Sequence, residues 1–164
     1  MTQKLRKRMK KIRKNNTLFI NPNTKTSSIE PDINKYIDFN AKKILVAEDN
    51  PNNQKLIEIL LSTLGASSTI VNDGAQAVEA YKNSVFDLVL MDINMPVMNG
   101  YDATIIIRED LKLAIPIIAL TANALEGDRE KFLNIGMNDY LAKPLEITNI
   151  DRILKKYRSY QSTN

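Results

Sequence analysis

Five polar residues stand at or just after the ends of apolar segments that predict β-strands. They are Glu48 and Asp49 at the end of "KILVAED", Asp92 at the end of "FDLVLMD", Thr121 near the end of "IPIIALTA" and Lys143 at the end of "DYLAK". Clustered carboxylates repel one another unless a cation lies among them, and a site of hard oxygen ligands favours Mg²⁺. A cation, a lysine and a hydroxyl could together hold the oxygens of a phosphoryl group. These residue types therefore point to aspartyl-phosphate chemistry, with Asp92, alone at its strand end, as the best nucleophile.

Each of these residues also has an ordinary interpretation when it is taken alone. Glu48 and Asp49 before a helix could simply stabilise the helix dipole, and Asp92 could cap a turn. Thr121 could be a strand-end hydroxyl without a role, and Lys143 a solvated lysine before a proline. The occurrence of all five at strand ends on one side of a sheet favours a functional site.

The elements that must position these residues alternate between strand and helix five times. Strands are predicted in "KILVAED", "SSTIVND", "FDLVLMD", "IPIIALTA" and "DYLAK". Three of them are continuous apolar runs, as expected for parallel strands that helices cover on both faces. We therefore predict an α/β fold: a doubly wound, five-stranded parallel sheet with five helices. The flavodoxin-like strand order 2-1-3-4-5 is expected, although hydrophobic periodicity does not itself set the order.

The helix between the first two strands has recognisable ends. Asn50 is predicted to cap it, Pro51 suits its first turn and Gly65 suits the position after its C-terminus. Its inward face is predicted to carry Ile57, Leu60, Leu61 and Leu64. A later helix is predicted over "GYDATIIIREDL", with Ala103, Ile106 and Ile107 on its apolar side.

Charge divides the chain into two parts. Residues 1–40 carry ten Lys or Arg and three Asp or Glu, a net +7, whereas residues 41–164 carry thirteen and sixteen, a net −3. We interpret residues 1–40 as a basic, flexible extension or linker, 41–160 as the domain and 161–164 as a tail. The basic segment could bind nucleic acid or an anionic membrane surface, but a solvated linker or a fragment of an upstream module is favoured.

Histidine and cysteine are both absent from the 164 residues. Their absence excludes Ser-His-Asp catalysis, a His- or Cys-ligated zinc site, disulfides and a phosphohistidine step within this chain. No apolar run approaches the roughly 18 residues needed to span a bilayer, and the N-terminus lacks the apolar region of a secretory signal. We expect a cytoplasmic location, or the cytoplasmic part of a membrane-bound protein.

Four motifs resemble those of the receiver (response regulator) domain of two-component signalling. They are "ILVAEDNPNNQ", "DLVLMDINMPVMNGYDAT", "IPIIALTA" and "GMNDYLAKPL". The resemblance covers about Lys42 to Tyr157. The residues within the motifs are most similar to those of receivers attached to hybrid histidine kinases. It implies a phosphorylated switch that assists its own phosphorylation and dephosphorylation but is not a turnover enzyme.

The resemblance also implies a role for each site residue. The implied Mg²⁺ site, which could also take Mn²⁺, consists of Glu48, Asp49, Asp92 and the backbone carbonyl of Asn94. The implied catalytic and switch residues are the phosphoacceptor Asp92, the hydroxyl of Thr121, the phosphate-pairing Lys143 and the inward-turning ring of Tyr140. The Lys143–Pro144 peptide bond is implied to be cis, and Pro96 and Gly100 to shape the loop after Asp92.

The resemblance further implies a histidine kinase or a histidine phosphotransfer protein as the phosphodonor. Because this sequence contains no histidine, the donor lies in another chain or in a part of the protein outside it. Phosphorylation is expected to alter the surface of strand four, helix four and strand five. A homodimer through the face of helix 4, strand 5 and helix 5 is a further expectation.

A Mg²⁺-dependent phosphatase with an aspartate nucleophile is the alternative enzyme class. Such enzymes usually carry a second Asp two residues after the nucleophile as general acid, where this chain has Asn94. Their nucleophile normally ends the first strand, whereas Asp92 ends the third. Both differences favour the receiver.

Overall fold

A computed structural model describes residues 39–112, 114–122 and 128–159, which show the predicted alternation of strands and helices. The strands are β1 (Lys43–Ala47), β2 (Ser67–Val71), β3 (Leu88–Asp92), β4 (Ile117–Thr121) and β5 (Asp139–Ala142). The helices are α1 (Pro51–Thr63), α2 (Gly74–Asn83), α3 (Gly100–Ile105), α4 (Asp128–Asn134) and α5 (Ile147–Lys156). The predicted tail at 161–164 and nearly all of the predicted extension at 1–40 lie outside the described residues.

The strands form one parallel sheet in the order β2-β1-β3-β4-β5, which confirms the predicted order. Its register aligns the carboxyl ends of the strands. Ala47 of β1 pairs with Met91 of β3, and Thr121 of β4 pairs with Ala142 of β5. The residues that end or directly follow these four strands therefore share one edge of the sheet.

Alternate residues of the central strand β3 enter two different apolar layers. Val89 and Met91 pack in the layer that includes α2 and α3, whereas Leu88 and Leu90 pack in the layer of α1 and α5. All five residues of β3 are buried. Because burying one large apolar side chain contributes about 1.5–3 kcal/mol, these contacts hold the end of β3, and with it Asp92, in a fixed place.

Helix α1 begins and ends as predicted. The Asn50 side chain accepts hydrogen bonds from the backbone N–H groups of Asn52 and Asn53, and Pro51 is in the first turn. Gly65 follows the C-cap with φ +88°, a left-handed conformation that favours glycine. Of the predicted inward face, Ile57, Leu61 and Leu64 are buried and Leu60 is half-buried.

The helix predicted after β3 is present, but its second half is not α-helical. Helix α3 ends at Ile105 and continues as a π-helical turn over Ile106–Asp110. The side chain of Arg108, within that turn, donates to the carbonyl oxygens of Gly136 at 2.8 Å and Ile115 at 2.7 Å. These tertiary hydrogen bonds tie the turn to the segments before β4 and β5, and they favour a local geometry that helical periodicity does not encode.

The packed domain extends further toward the N-terminus than predicted. Phe39 is 2% exposed, and its N–H donates to the Leu64 carbonyl oxygen at 3.0 Å. It packs in the same apolar layer as α1 and α5, so the packed domain includes a residue that the prediction placed in the extension. No helix in the part of the chain that the structure describes is long and apolar enough to cross a bilayer.

Candidate functional site

Three carboxylates meet at the carboxyl ends of β1 and β3. Glu48 and Asp49 directly follow β1, and Asp92 ends β3. One oxygen from each carboxylate lies within 4.8 Å of the other two. Glu48 is 0% exposed and Asp92 is 4% exposed, whereas Asp49 is open to solvent. The structure thus brings together the three side chains that the sequence placed at one edge of the sheet.

Lys143 supplies positive charge to this cluster. Its Nζ lies 2.6 Å from Asp92 Oδ2 and 2.6 Å from Glu48 Oε2. The Lys143 backbone N–H donates to the Thr121 carbonyl oxygen at 2.8 Å, which fixes the end of β5 against the end of β4. The Lys143–Pro144 peptide bond is cis, as predicted.

Three further predicted site residues, Asn94, Thr121 and Tyr140, differ in how they are placed relative to the carboxylate cluster. The Asn94 N–H donates to Asp92 Oδ1 at 3.2 Å, while the Asn94 side chain is exposed. Thr121 ends β4 and is 7% exposed. Tyr140 is half-buried, and its ring centroid lies 6.0 Å from that of Phe132. Asn94 and Thr121 therefore stand at the site, whereas the ring of Tyr140 packs on α4.

Gly100 allows the loop after β3 to fold back onto Asp92. A Cβ atom at Gly100 would lie 2.2 Å from the Asp92 carbonyl oxygen. The Gly100 N–H donates to the Ile93 carbonyl oxygen at 3.0 Å. Within this loop, the Met98 N–H donates to the Pro96 carbonyl oxygen at 2.7 Å, which closes a tight turn. Pro96 and Gly100 thus both belong to the loop that surrounds the aspartate.

Two amide side chains contact Glu48, and the sequence analysis missed both. Asn53 Nδ2 donates to Glu48 Oε1 at 3.0 Å. Gln54 Nε2 donates to the Glu48 carbonyl oxygen at 2.6 Å and to Asn72 Oδ1 at 2.8 Å. The sequence did contain a signal, because Asn53 and Gln54 fall in the first turn of the helix that directly follows β1. The short connection from β1 to α1 places these two amides next to Glu48.

The pKa of Asp92 and that of Lys143 are both raised, but for different reasons. For Asp92, burial and the Glu48 charge raise the pKa, and they outweigh the hydrogen bonds from Lys143 and Asn94 and the charge of Lys143. For Lys143, burial lowers the pKa, but the hydrogen bond to Asp92 and the charges of Asp92 and Glu48 outweigh it and leave the pKa raised. Ionised Asp92 is therefore less favourable in this site than in water, even with Lys143 beside it.

A stability difference between wild type and Asp92→Asn follows from this raised pKa. The ordinary carboxyl pKa is 3.8, and the pKa of Asp92 in the folded chain is higher. Between these two values the folded chain binds the Asp92 proton more tightly than the unfolded chain does. Wild-type stability therefore falls as the pH rises from the lower value to the higher one. In EDTA at pH 7 we expect Asp92→Asn to melt at a higher temperature than wild type. The difference should shrink as the pH is lowered toward 4, because the other acids titrate alike in both proteins. Thermal denaturation that shows a more stable wild type at pH 7 would contradict the pKa assignment.

The donor set fits a hard divalent cation. Among the described residues, Glu48 Oε2 is a buried oxygen without a hydrogen-bond partner, and its 2.6 Å ionic contact with Lys143 lacks hydrogen-bond angles. Three carboxylates can offer the oxygen ligands that Mg²⁺ prefers, with Asp49 exposed enough to leave room for water. Glu48, Asp49 and Asp92 are thus the side chains that would hold such an ion.

Comparison with known proteins agrees with this geometry. The family model described as the response regulator receiver domain matches residues 44–155. The chain is 49% identical over 112 residues to the Dictyostelium discoideum hybrid signal transduction histidine kinase I, covering 63% of this chain and 6% of the relative. It is 42% identical over 119 residues to the signal transduction histidine-protein kinase BarA of Escherichia coli, covering 72% of this chain and 13% of the relative. The chain thus spans only a small part of these relatives.

Solved structures give the same result. The receiver domain of the sensor histidine kinase PA1611 from Pseudomonas aeruginosa, solved with a magnesium ion in its active-site cleft, is 51% identical with a TM-score of 0.64; the match covers 71% of this chain and 96% of that one. The receiver domain of Saccharomyces cerevisiae Ssk1, solved with the histidine phosphotransfer protein Ypd1, is 28% identical with a TM-score of 0.68, covering 74% and 90%.

Proposed function

The chain belongs to the response regulator receiver domain family, and from this membership we propose that Asp92 accepts a phosphoryl group from a phosphohistidine partner in two-component signalling. The observation that carries the assignment is the contact of a buried aspartate with a lysine at 2.6 Å, inside a cluster of three carboxylates. Neither a helix cap nor a turn needs both a buried lysine contact and two further acids. A phosphoacceptor site needs all of them.

The reaction is a displacement at phosphorus. An Asp92 carboxylate oxygen forms the new P–O bond, the P–N bond to the partner's imidazole breaks, and the imidazole leaves with the bonding electron pair. Asp92 loses its own carboxylate charge in the new bond, but the phosphoryl group brings about −1.5 to −2 charge into the site, and Lys143 stands where it can pair with the phosphoryl oxygens. We propose Mg²⁺ as the cation, which neutralises phosphoryl charge when bound, and Mn²⁺ as a substitute that accepts the same oxygen ligands.

Metal dependence tests this proposal directly. With acetyl phosphate and Mg²⁺, we expect the full chain to become phosphorylated at Asp92, with a bond that hydroxylamine cleaves. With EDTA in place of Mg²⁺, labelling should fall by at least about 100-fold, because the carboxylate charge then opposes the approach of a phosphate. Intact-protein mass spectrometry gives the occupancy, and peptide mapping gives the site. Labelling that is equal in EDTA, or sustained turnover of a phosphomonoester substrate, would refute the proposal, and the second result would favour a phosphatase.

We propose that phosphorylation changes the surface through Thr121 and Tyr140. Thr121 stands at the end of β4 beside the acceptor strand, and Tyr140 lies on β5 against Phe132 of α4. A shift of the Thr121 hydroxyl toward a phosphoryl group leaves room into which the ring of Tyr140 can turn. The surface of β4, α4 and β5 then changes, and the face of α4, β5 and α5 is where we place a homodimer contact.

The place of the chain in a phosphorelay is also a proposal. Its relatives are hybrid histidine kinases that extend far beyond the matched segment, so we propose that this receiver acts with a histidine kinase or a histidine phosphotransfer protein in the cytoplasm. Self-catalysed dephosphorylation would return it to the resting state. For the basic residues 1–40 we favour a linker role over nucleic-acid or membrane binding.

A further inference from the structure

The two carboxylate oxygens of Glu48 have different surroundings. Oε1 accepts from Asn53 Nδ2 at 3.0 Å and from the Asn50 N–H at 3.2 Å. Oε2 is buried and has no hydrogen-bond partner among the described residues. Its near neighbour is the Lys143 ammonium, in ionic contact at 2.6 Å. Oε1 is thus held by hydrogen bonds from the start of α1, whereas Oε2 contacts only the positive charge of Lys143 among the described residues.

A carboxylate that turns about its last side-chain bond can exchange its two oxygens, and this torsion is soft. The Asn50 N–H alone would constrain one oxygen weakly. The side-chain amide of Asn53, in the first turn of α1, supplies a second donor to the same oxygen. Together they fix which oxygen faces the cluster.

We propose that Asn53 is a positioning residue for the divalent cation, because it holds Glu48 Oε1 and thereby presents Oε2 to the ion. This inference rests on the proposed function, since it concerns the cation that phosphorylation requires. Removing a group that hydrogen-bonds to a metal-ligating side chain commonly weakens metal affinity by about 10–100-fold. Asn53 occupies that position relative to Glu48.

A purely structural role for Asn53 is poorly supported by its surroundings. Helix α1 already has its cap in Asn50 and a proline in its first turn. Asn53 is only half-buried and lines an open cleft with Leu56 and Pro144, so its side chain adds little to the core. Removing the amide should therefore leave the fold intact and change the behaviour of Glu48.

The test compares Mg²⁺ binding by full-length wild type, Asn53→Ala, Asn53→Gln and Asn52→Ala. Asn52 is a matched control, because it is an exposed asparagine in the same helical turn. Isothermal titration calorimetry should show Mg²⁺ binding about tenfold weaker for Asn53→Ala and within about twofold of wild type for Asn52→Ala. Asn53→Gln, which keeps the amide on a longer stem, should recover part of the loss. Melting temperatures in EDTA should stay within a few degrees for all four proteins.

Two results would overturn the inference while leaving the phosphoacceptor assignment intact. One is equal Mg²⁺ affinity in wild type and Asn53→Ala. The other is a large loss of thermal stability in EDTA that accompanies the weaker Mg²⁺ binding, which would assign Asn53 to the fold. If wild type itself binds no Mg²⁺, the proposed function fails and this inference fails with it, so the wild-type titration separates the two cases.

Discussion

Replacing Asp92 by asparagine should abolish phosphorylation of the full chain by acetyl phosphate in Mg²⁺. The variant keeps the shape of the side chain and a carbonyl oxygen for Lys143, but it lacks the carboxylate that forms the new bond. Removal of a nucleophile typically costs on the order of a thousand-fold or more, so labelling should fall to background. Intact mass after a fixed incubation measures the loss, and circular dichroism shows whether the variant is folded.

Asp110→Asn is the matched control for that loss. Asp110 ends the π-helical turn and is exposed, so the same change of one carboxylate to an amide is made away from the cluster. We expect Asp110→Asn to be labelled at the wild-type rate. Equal labelling of Asp92→Asn and wild type would remove Asp92 from the mechanism.

Replacing Gly100 by alanine should be among the most damaging single substitutions in the domain. The added Cβ would lie 2.2 Å from the Asp92 carbonyl oxygen and 3.0 Å from its carbonyl carbon. Because backbone atoms cannot move aside as a flexible side chain can, either the loop or the end of β3 must shift. Overpacking of this kind typically costs about 1–3 kcal/mol or more, and here we expect the upper end, together with weaker Mg²⁺ binding.

Gly65→Ala gives the comparison for that result. Gly65 has φ +88° after α1, so alanine there is strained by about 1–2 kcal/mol, but it does not touch the acceptor strand. Urea unfolding should therefore rank Gly100→Ala below Gly65→Ala in stability, and only Gly100→Ala should lose Mg²⁺ affinity. If the two substitutions cost the same and neither affects Mg²⁺, the close approach of Gly100 to Asp92 does not constrain the site.

The functional residues at the strand ends could be predicted because the buried strands appear as apolar runs and the functional residues as polar residues at the ends of those runs. Continuous apolar runs such as "LVLM" indicate strands covered on both faces, and the carboxyl ends of parallel strands meet at one edge. The step from separate residues to a cluster needed the strand order, which periodicity does not contain. The order was predicted from the fold class, and the observed sheet confirms it.

Features that depend on tertiary contacts could not be predicted in the same way. The π-helical turn keeps the apolar residues Ile106 and Ile107 of a regular helix, so its sequence pattern is unchanged, while the partners of Arg108 lie on distant segments. Phe39 follows Tyr36 and Ile37 in a mixed stretch that has no sustained period. Asn53 was overlooked because an amide near a helix start has many uses, and only its distance to Glu48 identifies this one.

Lys143 also allows the domain to fold without a bound metal ion. Its ammonium contacts both buried carboxylates, and a buried charge that loses its partner typically costs about 3–5 kcal/mol. With this internal counter-ion, a newly synthesised chain can fold before it meets a divalent ion. Under the proposed function, magnesium serves the reaction and not the scaffold, so we expect the amount of folded receiver in a cell to stay constant when intracellular magnesium rises or falls.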